Sequence, residues 1–219
     1  MSIWWKTRSE VLDRVKAELM AFPYLRYHFN GEQFEVEGRW PVYGEASLIR
    51  EYQMRIVFPD RYPDEVPVVF EIGGEIEKSP GNHFNPDGSA CLFAPPERWE
   101  KWPPGSGFTE FLNGPVKEFF FSQAYRSLTG KWIFGERSHG DDGVIEYFLE
   151  RLSLQNRDQL RRVLDIPVVE EPPRQWKCPC SQNKRLKNCH WHLISNLRQR
   201  LPDTEWIFLR RILTRKTMT

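Results

Sequence analysis

His83-Phe84-Asn85-Pro86-Asp87-Gly88-Ser89-Ala90-Cys91-Leu92 places a cysteine six residues after an asparagine, with a Pro-Asp-Gly turn between them. Asn and Gly accept positive φ, so Asn85 to Gly88 reads as turn chemistry. Taken alone, a lone cysteine is most often a small buried apolar residue. A second reading makes Cys91 an acyl-carrying thiol and Asn85 the donor to a tetrahedral oxyanion, a role for which a side-chain amide supplies on the order of 10² to 10³ in rate. The other cysteines, Cys178, Cys180 and Cys189, form a tight cluster far downstream and leave Cys91 without a sequence partner.

Working outward, the flanking periodicity describes an α+β domain. Val11, Val15 and Leu19, with Leu12 beside them, form one helical stripe over residues 7 to 21, which Pro23 stops. Alternation follows: Phe34 and Val36 against Glu35 and Glu37, then Tyr52, Met54, Ile56 and Phe58 on one parity. A further strand is expected over Val66 to Ile72, with Val68, Phe70 and Ile72 sharing a face. Between these strands, Phe58-Pro59-Asp60-Arg61-Tyr62-Pro63-Asp64-Glu65-Val66-Pro67 is too rich in proline for a helix or a central strand. Residues 73 to 107 show no period and hold the Cys91 motif, a long loop of the kind that usually serves function. Helical spacing resumes at Phe108, Phe111 and Leu112 and restarts after Gly114, with Pro115 in a first-turn position before Val116, Phe119, Phe120 and Ala124. A helix in two pieces is expected there. Another begins after Asp141-Asp142-Gly143, carrying Val144, Ile145, Phe148, Leu149 and Leu152, and a shorter one lies near 155 to 164. Strands followed by helices indicate an antiparallel sheet with segregated helices.

These landmarks resemble the ubiquitin-conjugating enzymes. The family's Tyr-Pro corner looks like Phe58 to Pro67, its His-Pro-Asn element like His83-Phe84-Asn85, its Cys-Leu like Cys91-Leu92, and its Trp-Pro like Trp102-Pro103. The resemblance covers about residues 5 to 152. It implies an N-terminal helix, a four-stranded antiparallel meander, an active-site loop and C-terminal helices. It also implies a thioester at Cys91, with Asn85 at the oxyanion and His83 organising the loop or acting as a base. Phe84 replaces the family's middle proline, and the spacing from Asn to Cys is short, as in divergent bacterial relatives. Some of those relatives attach the C-terminus of a cyclic GMP-AMP synthase-like nucleotidyltransferase to targets in antiphage defence. Others serve bacterial ubiquitin-like proteins. No Gly-rich nucleotide loop occurs in this chain, so a separate activating enzyme or an unusual direct capture is implied.

The tail offers different chemistry. Cys178-Pro179-Cys180, eight residues, then Cys189-His190 supplies three thiolates and an imidazole, the donor set of a closed structural zinc site. His192 competes with His190 for the fourth position. The spacing resembles the SEC-C motif of the protein-export ATPase SecA, with Ser181-Gln182-Asn183 where that motif has Gly-Ser-Gly. Trp176, Trp191, Leu193 and Leu197 are either contact residues for a partner protein or the module's own small core.

Length, charge and composition set the outer bounds. A chain of 219 residues holds one domain and a small appendage. The acidic, Pro-rich stretch after Asp165 divides it into 1 to 165, a linker at 166 to 175, and a zinc module at 176 to 219. From Arg174 onward, eleven Lys or Arg face Asp203 and Glu205, giving +9 and leaving −8 for the rest of a chain whose net charge is +1. A basic tail opens a zinc-dependent nucleic-acid reading, against which solvated Lys and Arg are the plainer explanation. No apolar run nears the roughly 18 residues of a membrane span and no signal-peptide core is present, which predicts a cytoplasmic protein without membrane partners. A thioester-forming transferase leads the readings. An inactive adaptor of the same fold is the alternative.

Overall fold

The computed structural model describes residues 3–31, 33–45, 47–133, 138–180 and 182–215, in two compact units. Unit 1 comprises Met1–Phe93 and Lys101–Glu136; unit 2 comprises Ala94–Glu100 and Arg137–Thr219. The expected boundary at 166 to 175 therefore falls inside unit 2. The reason is packing: Val144, Tyr147, Phe148 and Leu160 share one apolar cluster with Cys178, Cys180, Leu186, Ile194 and Leu209.

Unit 1 opens with α1 (Trp4–Thr7) and α2 (Ser9–Leu19). Val15 and Leu19 are buried along the expected stripe of α2, whereas Met20 beyond it is exposed. Trp4 carries no periodic signal, yet it is buried with its ring 5.4 Å from Phe34, 5.6 Å from Phe58 and 5.0 Å from Tyr62. The sheet is an antiparallel meander of β1 (Leu25–Asn30), β2 (Gln33–Tyr43), β3 (Leu48–Val57) and β4 (Val68–Glu71), in that spatial order. Register explains the core face, because Val36 pairs with Ile56 and Trp40 with Tyr52, and opposed residues project to the same side of a sheet.

Two parity expectations are corrected by that register. Met54 pairs with Glu71 and Ile56 with Val69, so Val69 and Glu71 face the core while Val68 and Phe70 do not and Ile72 is exposed. Glu71 tolerates complete burial because its carboxylate accepts from Gly74 N at 3.1 Å and Glu75 N at 3.3 Å. On β2, Glu35 is buried rather than solvent-facing, with His28 Nε2 at 3.3 Å and Asn30 Nδ2 at 3.4 Å.

The helical part of unit 1 runs through α4 (Phe108–Phe111), a π turn (Leu112–Val116) and α5 (Lys117–Thr129) without the expected break. Proline lacks an N–H and collides with the carbonyl four residues back. Widening to i+5 around Pro115 accommodates both and lets the helix continue. Trp102 sits beneath this run, its indole donating to Gly107 O at 2.9 Å and its ring stacked on Tyr62 at 6.1 Å. The Trp-Pro and Tyr-Pro landmarks thus meet inside one core.

The chain passes through the short α3 (Arg98–Lys101), and unit 2 then assembles α6 (Gly140–Arg151), α7 (Arg157–Leu164), α8 (Trp191–Arg200) and α9 (Asp203–Thr214). Segment 94–100 belongs with these helices, since Trp99 Nε1 donates to Glu205 at 3.1 Å and Glu100 accepts from Tyr147 at 2.9 Å and from Arg151 at 2.6 Å. No helix among the described residues is long and apolar enough to cross a membrane.

Candidate functional site

The Cys91 motif folds as a miniature hairpin. Phe84 pairs with Ala90 in an antiparallel bridge flanked by Cys91 N donating to His83 O at 2.7 Å and Asn85 N donating to Ser89 O at 2.8 Å. That register sets His83 opposite Cys91 and Asn85 opposite Ser89. Ala90 N donates to Val69 O at 2.7 Å, fastening the hairpin to β4. Phe84 is buried edge-on against Phe119 of α5 at 5.6 Å, an anchor that a proline at this position would not supply. The Cys91 backbone is therefore fixed from two sides while its side chain stays half-buried and outside any disulfide.

Each expected side chain of this site has a definite place. Asn85 is exposed at the turn, and its Nδ2 donates to Ser89 Oγ at 3.0 Å. Ser89 in turn donates its backbone N–H at 3.0 Å and its hydroxyl at 2.6 Å to Asp87. Those two bonds hold the Asp87 carboxyl below its ordinary value, the hydroxyl bond contributing most. His83 adopts a left-handed conformation at φ 58° and closes the turn Pro80–Asn82. Its ring lies edge-on to Trp132 at 4.5 Å. Gln123 of α5 donates to Asn82 O at 2.6 Å, and Arg126 donates to Gly81 O at 3.1 Å while its guanidinium covers Trp132. Ser89, Gln123 and Arg126 carried no sequence signal, because their roles depend on partners brought in by the fold.

In unit 2 the structure gathers Cys178, Cys180, Cys189 and His190, whose donor atoms all lie within 4.8 Å of one another and could hold a metal ion. Cys180 Sγ is 3.6 Å from Cys189 Sγ, and His190 Nδ1 is 3.1 Å from Cys178 Sγ and 3.0 Å from Cys189 Sγ. His192 lies outside this cluster. A knuckle forms the cradle: Lys177 bridges Arg185, Cys178 N donates to Lys184 O at 2.9 Å, and Leu186 N donates to Trp176 O at 2.8 Å. Asn183, inside the loop, has φ 53°, a conformation Asn tolerates better than most residues. Of the expected Ser181-Gln182-Asn183 substitution, Ser181 lies outside the described residues.

The surroundings of the cluster come from helices that precede it in sequence. His190 Nε2 is 3.3 Å from Ser153 O, which leaves Nδ1 as the ligating nitrogen. Gln159 of α7 donates to Cys180 O at 3.1 Å and accepts from Gln155 N at 2.8 Å. Burial pushes the Cys178 thiol up to about 12, so a cation at this site would displace its proton.

No family model matches the chain. No curated protein matches it either. Among solved structures, the yeast vps23 UEV domain in complex with a vps27 PSDP peptide is similar at 14% identity with a TM-score of 0.37, covering 52% of this chain and 81% of that one.

Proposed function

We propose that this chain is a ubiquitin-conjugating-enzyme-like acyl transferase, with unit 1 a UBC-type domain and the unit 2 knuckle a SEC-C-like zinc site. The observation that carries the reading is Cys91, a half-buried thiol on a hairpin held to β4 and α5, within the ordered series of Tyr-Pro, His-x-Asn, Cys-Leu and Trp-Pro landmarks. The Cys91 thiolate attacks the activated carboxyl carbon of a protein C-terminus, the activating group leaves with its electron pair, and a thioester forms. A substrate amine then attacks that carbonyl, loses its proton, and expels the thiolate as an amide forms. Asn85 serves the oxyanion, exchanging its bond to Ser89 for one to the substrate. His83 organises the loop against Trp132. The carried C-terminus is that of a cyclic GMP-AMP synthase-like nucleotidyltransferase or of a bacterial ubiquitin-like protein, activated by a separate enzyme, in cytoplasmic antiphage defence.

Zinc suits the unit 2 cluster. A tetrahedral zinc with Zn–S of about 2.3 Å has S···S edges of roughly 3.75 Å, close to the 3.6 Å between Cys180 and Cys189. Cys178, Cys180, Cys189 and His190 would hold it, leaving no position for a reactive water. Its chemistry there is structural.

A second reading, an adaptor without activity, is favoured by one observation: the Asn85 amide is engaged by Ser89 inside the turn. Intact-mass spectrometry on protein co-expressed with its genomic neighbours separates the two. We expect a hydroxylamine-labile adduct that Cys91→Ala abolishes, and Asn85→Ala should let the adduct accumulate while slowing its aminolysis by about 10². Complete absence of an adduct with every neighbour present, or an adduct that persists in Cys91→Ala, would leave the adaptor.

A further inference from the structure

We infer that unit 1 carries a second binding site, an open pocket for an extended peptide segment in which an aromatic or aliphatic side chain sits beside a carboxylate. The cavity measures about 470 Å³, within the ~300–1,000 Å³ typical of ligand sites. Its floor is apolar: Leu25, Trp40 and Val42 are buried, and Phe22 stacks on Trp40 at 6.1 Å. The charged side chains in its lining are Arg39 and Lys117, and no Asp or Glu lines it. A positive rim over an aromatic floor complements an anion attached to an apolar body.

The walls are built for this arrangement by two irregularities. Gly38 has φ 151°, and a Cβ there would lie 2.0 Å from Tyr24 O. Its absence lets the entry to β1 press against β2, where Arg39 N donates to Tyr24 O at 3.2 Å and the guanidinium covers the Tyr24 ring at 4.8 Å. On the opposite wall, the π turn around Pro115 sets Asn113 and Lys117 together at the pocket, and π turns recur where helices serve binding. Arg39 also reaches Glu51 at 3.4 Å, an exposed pair that yields readily to a competing carboxylate. Lys117 makes no ion pair among the described residues. The occupant is a peptide rather than a small anion because β2 runs to Tyr43 whereas β1 pairs with it only as far as Gly38, so Pro41, Val42 and Tyr43, which all line the pocket, lie beyond the cover of β1. An unpaired strand edge offers backbone groups to an extended chain.

The test is an NMR titration of the full chain with acetyl-Glu-Phe-Glu-amide, acetyl-Gln-Phe-Gln-amide and acetyl-Lys-Phe-Lys-amide. Shifts are expected at the Trp40 indole, the Asn113 side-chain amide and Lys117. The acidic peptide should bind roughly 2–5-fold more tightly than the neutral one, as exposed ion pairs allow, and the basic peptide most weakly. Lys117 is exposed, so Lys117→Glu keeps the fold and should erase or invert this preference. Equal affinity for the three peptides, an unchanged preference in Lys117→Glu, or shifts confined to other surfaces would overturn the site. Free acetyl-phenylalanine binding as tightly as the acidic peptide would overturn the peptide segment as its occupant.

Discussion

Phe84, which stands where the sequence resemblance expects a proline, has the clearest structural account. Its ring is buried against Phe119 while its backbone pairs with Ala90, so one side chain fixes the hairpin that presents Cys91. Phe84→Ala removes that anchor and should cost about 3–5 kcal/mol of unit 1 stability, read by denaturant unfolding, and should make the Cys91 amide exchange faster. A loss below 1 kcal/mol would show that the hairpin is held by its backbone bonds alone. Asp87 supports a second prediction. Its pKa is depressed in the fold by Ser89, so the stability it lends is present above its ordinary value of 3.8 and is lost as pH falls through the lower folded value. In a carboxyl NMR titration the Asp87 midpoint should lie below 3.8, and Ser89→Ala should raise it toward 3.8. An unmoved midpoint in that variant would remove Ser89 as the cause. The turn that sets His83 opposite Cys91 was legible because turn residues around a cysteine form a local pattern. The Asp87–Ser89–Asn85 chain was not, since an Asp in a turn reads the same whether or not a buried hydroxyl faces it.

At the scale of elements, what the sequence reveals depends on how much of an element's burial follows a simple period. The faces of α2 and β3 follow theirs, so most of their core residues could be read directly, whereas β2 buries Glu35 between Phe34 and Val36 and breaks its alternation. In β4 the apolar pattern misleads, because Val68, Phe70 and Ile72 advertise one face while pairing with β3 buries Val69 and Glu71 instead. A charged residue on the core side contradicts any hydrophobic pattern, and only the backbone donors of Gly74 and Glu75 explain it. Pro115 is a similar case, because proline is normally read as a boundary and the π turn that absorbs it leaves no mark in composition. The link between α7 and the knuckle is equally silent in sequence, resting on the buried Gln159 and the carbonyl of Cys180. Gln159→Ala strands that buried carbonyl, which costs about 1–3 kcal/mol. Thermal unfolding of unit 2 should therefore shift downward in this variant with metal content retained. An unchanged transition would mean that water replaces the side chain without loss.

For the whole molecule, the division into units changes what the metal cluster supports. Composition places the boundary at the acidic, proline-rich segment after Asp165, yet the core of unit 2 draws on helices from both sides of that segment. Proline and charge mark where chain is exposed, and an exposed strap can cross the surface of one domain as readily as it can join two. The basic excess of the tail also acquires a local use. Arg198 donates to Ile166 O at 2.7 Å and Pro167 O at 3.0 Å, and Arg210 bonds Leu164 O. Cations that complete helix C-termini and surface ion pairs are less available to a phosphate backbone, which weakens the nucleic-acid reading. The same interleaving predicts the consequence of metal loss. A structural zinc contributes about 10–16 kcal/mol in small knuckle peptides, and here Cys178 and Cys180, which could hold such an ion, lie in one cluster with α6, α7, α8 and α9, while His190 is tied to Ser153 O between α6 and α7. Cys189→Ser or a strong chelator should therefore remove hydrogen-exchange protection from all four helices together, with β1 to β4 protected as before by their own core. Loss of protection limited to residues 176–190 would instead restore the picture of a small appended module. Retention of full zinc in Cys189→Ser would show that the assigned ligand set is wrong.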